Sequence, residues 1–278
     1  LLYNYNRLIS LNEVGGFPQI FGIHTETFHH FNGKRMRFWP NSMNTTSTHD
    51  SKRGEDIRAR INVLSEIPEE WNKQIKNWAR INMPFKVSSE NGLIPDANDE
   101  YLFYQTLVGS FQPDEDQQLY KTRISDFMLK AIREAKVHTD WIAYNTVYEK
   151  GLLSFIQRVL DRNESSGFFD EFIPFQSKIA KYGLYNSLSQ TLIKIAAPGV
   201  PDFYQGTELW DLNLVDPDNR KLIDFDKRKK LLNELKQVAI SEFPDFIQIL
   251  LSKWQDGRIK LFLIYRCNKA RNDRPELF

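Results

Sequence analysis

Residues 43–61 read MNTTSTHDSKRGEDIRARI, and the residues most able to do chemistry are concentrated there. A small, β-prone run from Met43 to Thr48 ends in His49 and Asp50, and a burst of alternating charge follows through Lys52, Arg53, Glu55 and Asp56. Threonine is β-branched and suits extended backbone, so the run predicts a strand with an imidazole and a carboxylate at its tip. Several readings compete for that pair. A Ser-His-Asp triad through Ser47 is disfavoured, because triad members meet across a fold and sequence neighbours point their side chains apart. A metal site is weakly supported: His24, His29 and His30 have no neighbouring cysteine and lack the i, i+4 spacing of a zinc helix. Those three read as solvated or capping histidines. For Asp50 the plain alternative is a helix N-cap, since it or Ser51 can cap a helix from Arg53 to Leu64.

The elements that must position this tip can be read from periodicity. In the helix from Arg53 to Leu64, Asp56 and Arg60 fall at i and i+4, and Ile57, Ile61 and Leu64 form an apolar stripe. Pro68 suits the start of a second helix carrying Trp71, Ile75 and Trp78 on one face. From about 98 to 195 the pattern is helical, with apolar faces at Ile124–Ala135 and Val147–Leu160. A further helix runs from near Phe168 to Ala197, with a break expected near Gly183. The intervening loops include 91-NGLIPDAND-99, 112-QPDED-116 and 162-RNESSG-167. Residues 1–42 are mixed, with turns at 15–18 and at Asn32-Gly33. Pro198-Gly199 stops the long helix, and Val200–Tyr204 reads as a short strand that leads into the polar loop QGTELWDLNLVDPDNRK. Three helices close the chain: Lys227–Ile240 behind an Asp226 cap, Phe243–Trp254, and Gly257 to about Ala270, where periodicity alone would also allow a strand.

Composition bounds the function. The 278 residues include 37 basic and 36 acidic side chains, for a formal charge of +1. A nucleic-acid partner is not expected at that balance. Aromatic residues make up 13%, which composition alone assigns to a filled core rather than to ligand platforms. The single cysteine, Cys267, allows no internal disulfide and fits a reducing, cytoplasmic setting. No apolar run approaches the roughly 20 residues of a membrane span, so no membrane role is expected. The opening LLYNYNRLIS and the closing RNDRPELF suggest a segment of a longer protein.

The stretch 46-TSTHDSKRGEDIRARINVLSEIPEEW-71 resembles the fourth signature region of the α-amylase superfamily, in the form found in maltooligosyltrehalose synthases. Four further segments resemble the same family in order: 3-YNYNRLISLNEVGG-16, 99-DEYLFYQTLVGSF-111, 129-LKAIREAKVHTDW-141 and 198-PGVPDFYQGTELWDLNLVDPDNRKLIDF-225. The resemblance implies a (β/α)8 barrel, of which this mainly α chain would supply strands seven (Met43–Thr48) and eight (Val200–Tyr204). It divides the chain into a barrel segment, 1–56, a large helical insertion, 57–184, and a closing part, 185–278. The implied activity is an intramolecular glucosyl transfer that turns the reducing-end α-1,4 bond of a maltooligosaccharide into an α,α-1,1 linkage, with no metal or cofactor.

By the same resemblance Asp50 is the third catalytic carboxylate, which hydrogen-bonds sugar hydroxyls as ring charge develops, and His49 contacts the same edge. The family's nucleophilic Asp and acidic Glu have no match here, so the chain alone is expected to be inactive. Lys52, Arg53, Tyr204, Gln205, Asp216, Asp218 and Arg220 are candidate substrate contacts. Against this stand ion pairs of Lys52 and Arg53 with Glu55 or Asp56, and an Asp–Arg-stabilised turn at 216–220; Glu208 is expected to be structural. Asn12 and Glu13 match a family segment without a derivable role. The rival readings are another hydrolase or transglycosylase of the superfamily, and a non-catalytic α-glucan-binding or helical interaction module. Oligomeric state is not specified by the sequence.

Overall fold

Four helix starts in this chain are set by short polar side chains that take up otherwise unpaired backbone N–H groups. In the computed structural model, which describes residues 2–164, 167–215 and 218–278, Asp96 accepts from Asp99 N at 2.8 Å to open α4 (Ala97–Ser110). Asp116 does the same for α5 (Gln117–Ala135) and Asn145 for α6 (Thr146–Val159). Asp224, two residues before the expected Asp226, caps α8 (Phe225–Lys236). The remaining helices are α1 (Thr25–Phe38), α2 (Glu55–Asn62), α3 (Pro68–Asn82), α7 (Phe168–Ala196), α9 (Phe243–Ser252) and α10 (Arg258–Asp273).

The aromatic richness goes largely into the core, as composition suggested. Trp78 on α3 is fully buried and meets the rings of Trp71, Tyr104, Phe168, Phe172 and Phe175 at centroid distances of 5.5–5.7 Å. Around this cluster α2, α4, α5, α6 and the first half of α7 share one apolar interior that also takes in Leu212 and Leu214. A smaller core joins Leu184 of α7 and Leu209 to Leu235, Leu250, Ile259 and Phe262 of the closing helices.

The strands are short. β1 (Met43–Asn44) and β4 (Val200–Pro201) pair in parallel, Met43 opposite Val200. Both expected strands shrink because their later residues turn to other partners. Thr45 Oγ1 donates to Ser47 O at 2.7 Å, and residues 204–207 form a turn closed by Thr207 N on Tyr204 O. A hairpin of β2 (Val87–Ser89) and β3 (Gly92–Ile94) replaces the expected loop there; three-residue, mostly exposed strands leave little alternation to read.

The helix expected from residue 257 onward is formed, as α10, in place of the strand that periodicity alone would also allow. Two other expectations are corrected. Asn32-Gly33 lies inside α1, a helix with no buried residue and therefore no apolar periodicity to betray it. Finally, α7 does not break at Gly183 but runs unbroken through it. The glycine serves a crossing: a Cβ there would stand 2.6 Å from Arg60 Cγ and 2.8 Å from Arg60 Cα on α2. Close approach of backbones is a use of glycine that outweighs its low helix propensity.

That crossing gives a signed prediction. Helix propensity alone would make Gly183→Ala stabilising by about 1 kcal/mol. The steric conflict with the Arg60 backbone predicts the opposite, a loss of about 1–3 kcal/mol measurable by urea unfolding.

Candidate functional site

The segment 45–54 leaves β1, turns through His49-Asp50 and enters α2, and it is held from three sides by two distant stretches of chain. From one side, Gly54 N donates to Asn213 O at 2.8 Å and Val215 N to Lys52 O at 3.1 Å, a short antiparallel contact with the loop that follows β4. Gly54 permits it, because a Cβ there would fall 2.5 Å from Asp211 O. From a second side, Asn219 Nδ2 donates to His49 O at 2.9 Å. From a third, the Glu13 carboxylate accepts Lys52 N at 2.7 Å and Arg53 N at 3.1 Å. Within the turn, Thr48 N donates to Ser51 Oγ and Asp50 N to Thr48 Oγ1.

Under the loop lies a buried charge cluster. Lys260 of α10, fully enclosed, donates to Glu55 Oε1 at 2.7 Å and Asp56 Oδ2 at 2.8 Å. Lys194 of α7 lies 3.6 Å from the other Glu55 oxygen and donates to Thr46 Oγ1 at 2.9 Å. Asp56 also accepts from Ser187 Oγ and from Asp211 N. Burial by itself would raise the Glu55 carboxyl, but the charges of Lys260 and Lys194 and hydrogen bonds from Lys260 and Thr46 outweigh it and hold it at about 2. Asp211, at the edge of the same cluster, is pushed the other way, to about 6, by burial and then by the Asp56 charge.

The site residues named from sequence separate into groups. His49 and Asp50 stand on the open face, their side chains 70% and 68% exposed, with Nε2 and Oδ2 3.3 Å apart. Sequence adjacency therefore does not point these two side chains apart. Neither Asp50 nor Ser51 caps α2: its N-cap is Gly54, and Ser47 Oγ takes the Glu55 N–H at 3.1 Å. Lys52 is half-buried beside the pair and makes no ion pair among the described residues.

Arg53 is the correction. It is fully buried, donates to Ile9 O at 3.2 Å and stacks over Phe127, so it faces the core and not the open face. Nor do Lys52 and Arg53 pair with Glu55 or Asp56, whose partners are Lys260 and Lys194.

Tyr204 is half-buried with its hydroxyl on Asn219 O at 3.3 Å, and Gln205 is exposed. Both border the loop that grips His49. Asp218 is buried and committed to structure: Arg123 Nε and Nη2 reach its carboxylate at 2.8–3.1 Å, Lys221 pairs with it, and Leu214 N donates to it. Burial opposes its ionisation, but the Arg123 bonds prevail and hold the carboxyl below its usual range. Arg123, unnoticed in the sequence because it looks like one more helix-surface cation, is thus the arginine that stabilises this turn. Arg220 is exposed on a surface cavity of about 370 Å³. Asp216 lies outside the described residues. Glu208 pairs with Arg228 at 2.9 Å, the structural role expected of it. Asn12 ties the first segment together through Leu2 O and Tyr5 O.

The raised Asp211 carboxyl has a pH consequence. The folded state binds this proton more tightly than the unfolded state, whose carboxyl titrates near 3.8, so stability falls as pH rises from 3.8 through about 6. Asp211→Asn keeps the acceptor for Asn213 and removes the titration. It is expected to gain about 1–3 kcal/mol at pH 7 and nothing below pH ~4. Asp99, also raised by burial to about 6, contributes a second group in the same window. The slope of urea stability against pH should therefore be reduced, not abolished, in the variant.

No protein-family profile matches the chain. A protein of Mycobacterium tuberculosis, named "Putative maltooligosyl trehalose synthase", is 39% identical over 241 residues, which is 86% of this chain and 30% of that protein. A crystal structure of maltooligosyl trehalose synthase superposes with a TM-score of 0.85 at 39% identity, covering 99% of this chain and 35% of the other. A second, described as a hypothetical maltooligosyl trehalose synthase of Sulfolobus tokodaii, gives 0.81 at 41% identity over 99% of this chain and 34% of its own. The chain thus spans about a third of the length of these relatives. Over that third, sequence and three-dimensional structure agree that it belongs to the maltooligosyltrehalose synthase family.

Proposed function

We propose that this chain is the part of a longer glucosyltransferring enzyme that presents the third catalytic carboxylate, Asp50, to the penultimate glucosyl unit of an α-1,4-glucan, the unit whose C1 is bonded to the reducing-end glucose. The observation that carries the reading is the exposed His49–Asp50 pair just past the end of a parallel strand, on a loop gripped from three sides. Functional residues beyond the carboxyl ends of parallel strands are the habit of β/α barrels. β1 and β4 are then neighbouring strands, seven and eight, of such a barrel, with 57–184 inserted between them and α7 shared with the closing part. Two features support the barrel. A parallel sheet is stable when both faces are covered, and two strands of two residues are marginal alone. Met43 and Val200 on this pair, with Phe31, Phe38 and Trp39 nearby in sequence, are exposed apolar residues suited to such a cover.

In the reaction, the nucleophilic carboxylate and the proton-donating carboxylic acid come from the part of the relatives that this chain does not span. Asp50 accepts hydrogen bonds from the ring hydroxyls of the glucosyl unit, bonds that strengthen as the ring acquires oxocarbenium character. Interactions that grow toward the transition state lower the barrier, whereas equal binding of ground and transition states does not. His49 and Lys52 flank the same edge, and Tyr204, Gln205 and Arg220 border the subsites. The covalent glucosyl intermediate is then attacked by the anomeric hydroxyl of the released glucose, giving an α,α-1,1-linked, non-reducing end. The chemistry needs no metal or cofactor. A cytoplasmic setting suits the single free cysteine.

The decisive test is Asp50→Asn in the longer protein, with maltopentaose as substrate. Loss of reducing ends should fall roughly 10²–10³-fold, since an electrostatic contact made mainly in the transition state is removed. Turnover near that of the unaltered protein would sink the assignment. Free glucose and shortened oligosaccharides as the main products, in place of a non-reducing one, would identify a hydrolase instead. The 278-residue chain by itself should yield neither.

A further inference from the structure

Glu13 lies 37 positions upstream of Asp50 in the sequence, in a segment of turns that carries no helix or strand. Its half-buried carboxylate nevertheless takes three backbone N–H groups: Val14 at 2.8 Å and Lys52 at 2.7 Å on Oε1, and Arg53 at 3.1 Å on Oε2. Two of these are consecutive peptides of the loop that carries His49 and Asp50. The next peptide, Gly54 N, is already taken by Asn213 O, and the intervening carbonyl, Lys52 O, by Val215 N. The loop's inner strand is therefore satisfied on one edge by main chain and on the other by a single side chain.

Glu13 also faces a cation. The Arg53 guanidinium is enclosed, and its Nε and Nη2 have no hydrogen-bond partner among the described residues. Burial lowers its affinity for the proton, and Tyr3 first and then the nearby Glu13 work against that loss. One carboxylate thus anchors the loop's backbone and offsets the charge of the arginine that roots the loop in the core. Ionised acceptors make shorter and stronger hydrogen bonds than neutral ones, which suits a role in fixing position.

We propose that Glu13 is a positioning residue for Asp50: it fixes the peptide plane two residues beyond the carboxylate and so sets where that carboxylate stands against the substrate. The inference rests on the reading of Asp50 given above. Glu13 does not itself touch the reacting atoms. Its removal should misplace the carboxylate without altering the outer subsites, so the loss should appear in kcat and not in KM.

The test uses the longer protein with two substitutions, Glu13→Gln, which keeps one acceptor and removes the charge, and Glu13→Asp, which keeps the charge and shortens the reach. Amide hydrogen exchange at Lys52 and Arg53 is read at residue level beside the kinetics. Both variants should lower kcat about 10–100-fold with KM within about threefold. Exchange at the two amides should accelerate, while Glu149→Gln, which weakens the Arg133 pair in the helical block, should change neither readout. If kcat is unchanged in both variants while Asp50→Asn is inactive, the role of Glu13 is overturned and that of Asp50 stands. Slow, protected amides at 52 and 53 in both variants would overturn it as well. An Asp50→Asn protein at full turnover would instead bring down the site reading, and this inference with it.

Discussion

The architecture around the candidate site depends on one buried ionic contact, the Lys260 ammonium held between Glu55 and Asp56. Desolvating three charges together is expensive, and an ion pair repays that cost only when its geometry and remaining hydrogen bonds are nearly complete. They are so here. Leu209 O, Lys194, Thr46, Ser187 and the Asp211 N–H supply the other partners. The contact ties α10, the last long helix, to the first turn of α2, more than two hundred residues earlier, with α7 contributing from below. Losing either partner would leave an uncompensated charge in the interior, so the fold tolerates little movement there.

This arrangement explains why an exposed loop can be held in place. Hydrophobic packing is non-directional and would position the loop only loosely. Hydrogen bonds to main-chain N–H and C=O groups fix peptide planes, and the segment 44–54 is held largely by these: Asp202 N on Asn44 O, Gly54 N on Asn213 O, Val215 N on Lys52 O, Asn219 on His49 O and Glu13 on two amides. The side chains of His49 and Asp50 are left free toward the open face, while the backbone beneath them is tied to two distant stretches of chain.

Much of this was legible in the sequence, and the failures have physical causes. The helices with an apolar face, α3, α5 and α6, were readable because burial imposes periodicity; α1 buries nothing and left no such trace. The strand at Met43 was found by its β-branched residues, but its end was misplaced, since the hydroxyls of Thr45 and Thr48 take up local bonds that compete with a ladder. Gly183 was read as a break because propensity is local, whereas its reason for being glycine is Arg60 on another helix. Glu13 and Arg123 could not be assigned from spacing at all. Each acts on residues roughly 40 or 95 positions away, and nothing in a lone acidic or basic letter announces that.

The run DSKRGED itself shows how a charge-rich motif should be read. Such runs usually mark a solvated face, where ion pairs contribute little. Here the residues divide: Asp50 and Lys52 look outward, while Arg53, Glu55 and Asp56 are buried. The glycine between them matters to that division, because it lets the chain press against Asp211 and turn inward to start α2 under the loop. An outward carboxylate gains reach from its exposure and stiffness from its buried neighbours, two demands that one side chain cannot meet alone. The motif answers both by placing surface charges for contact beside interior charges for anchorage. Their partners, Lys194 and Lys260, arrive from the other end of the chain, so the loop's shape is a property of the tertiary fold and not of the nineteen-letter stretch that first drew attention.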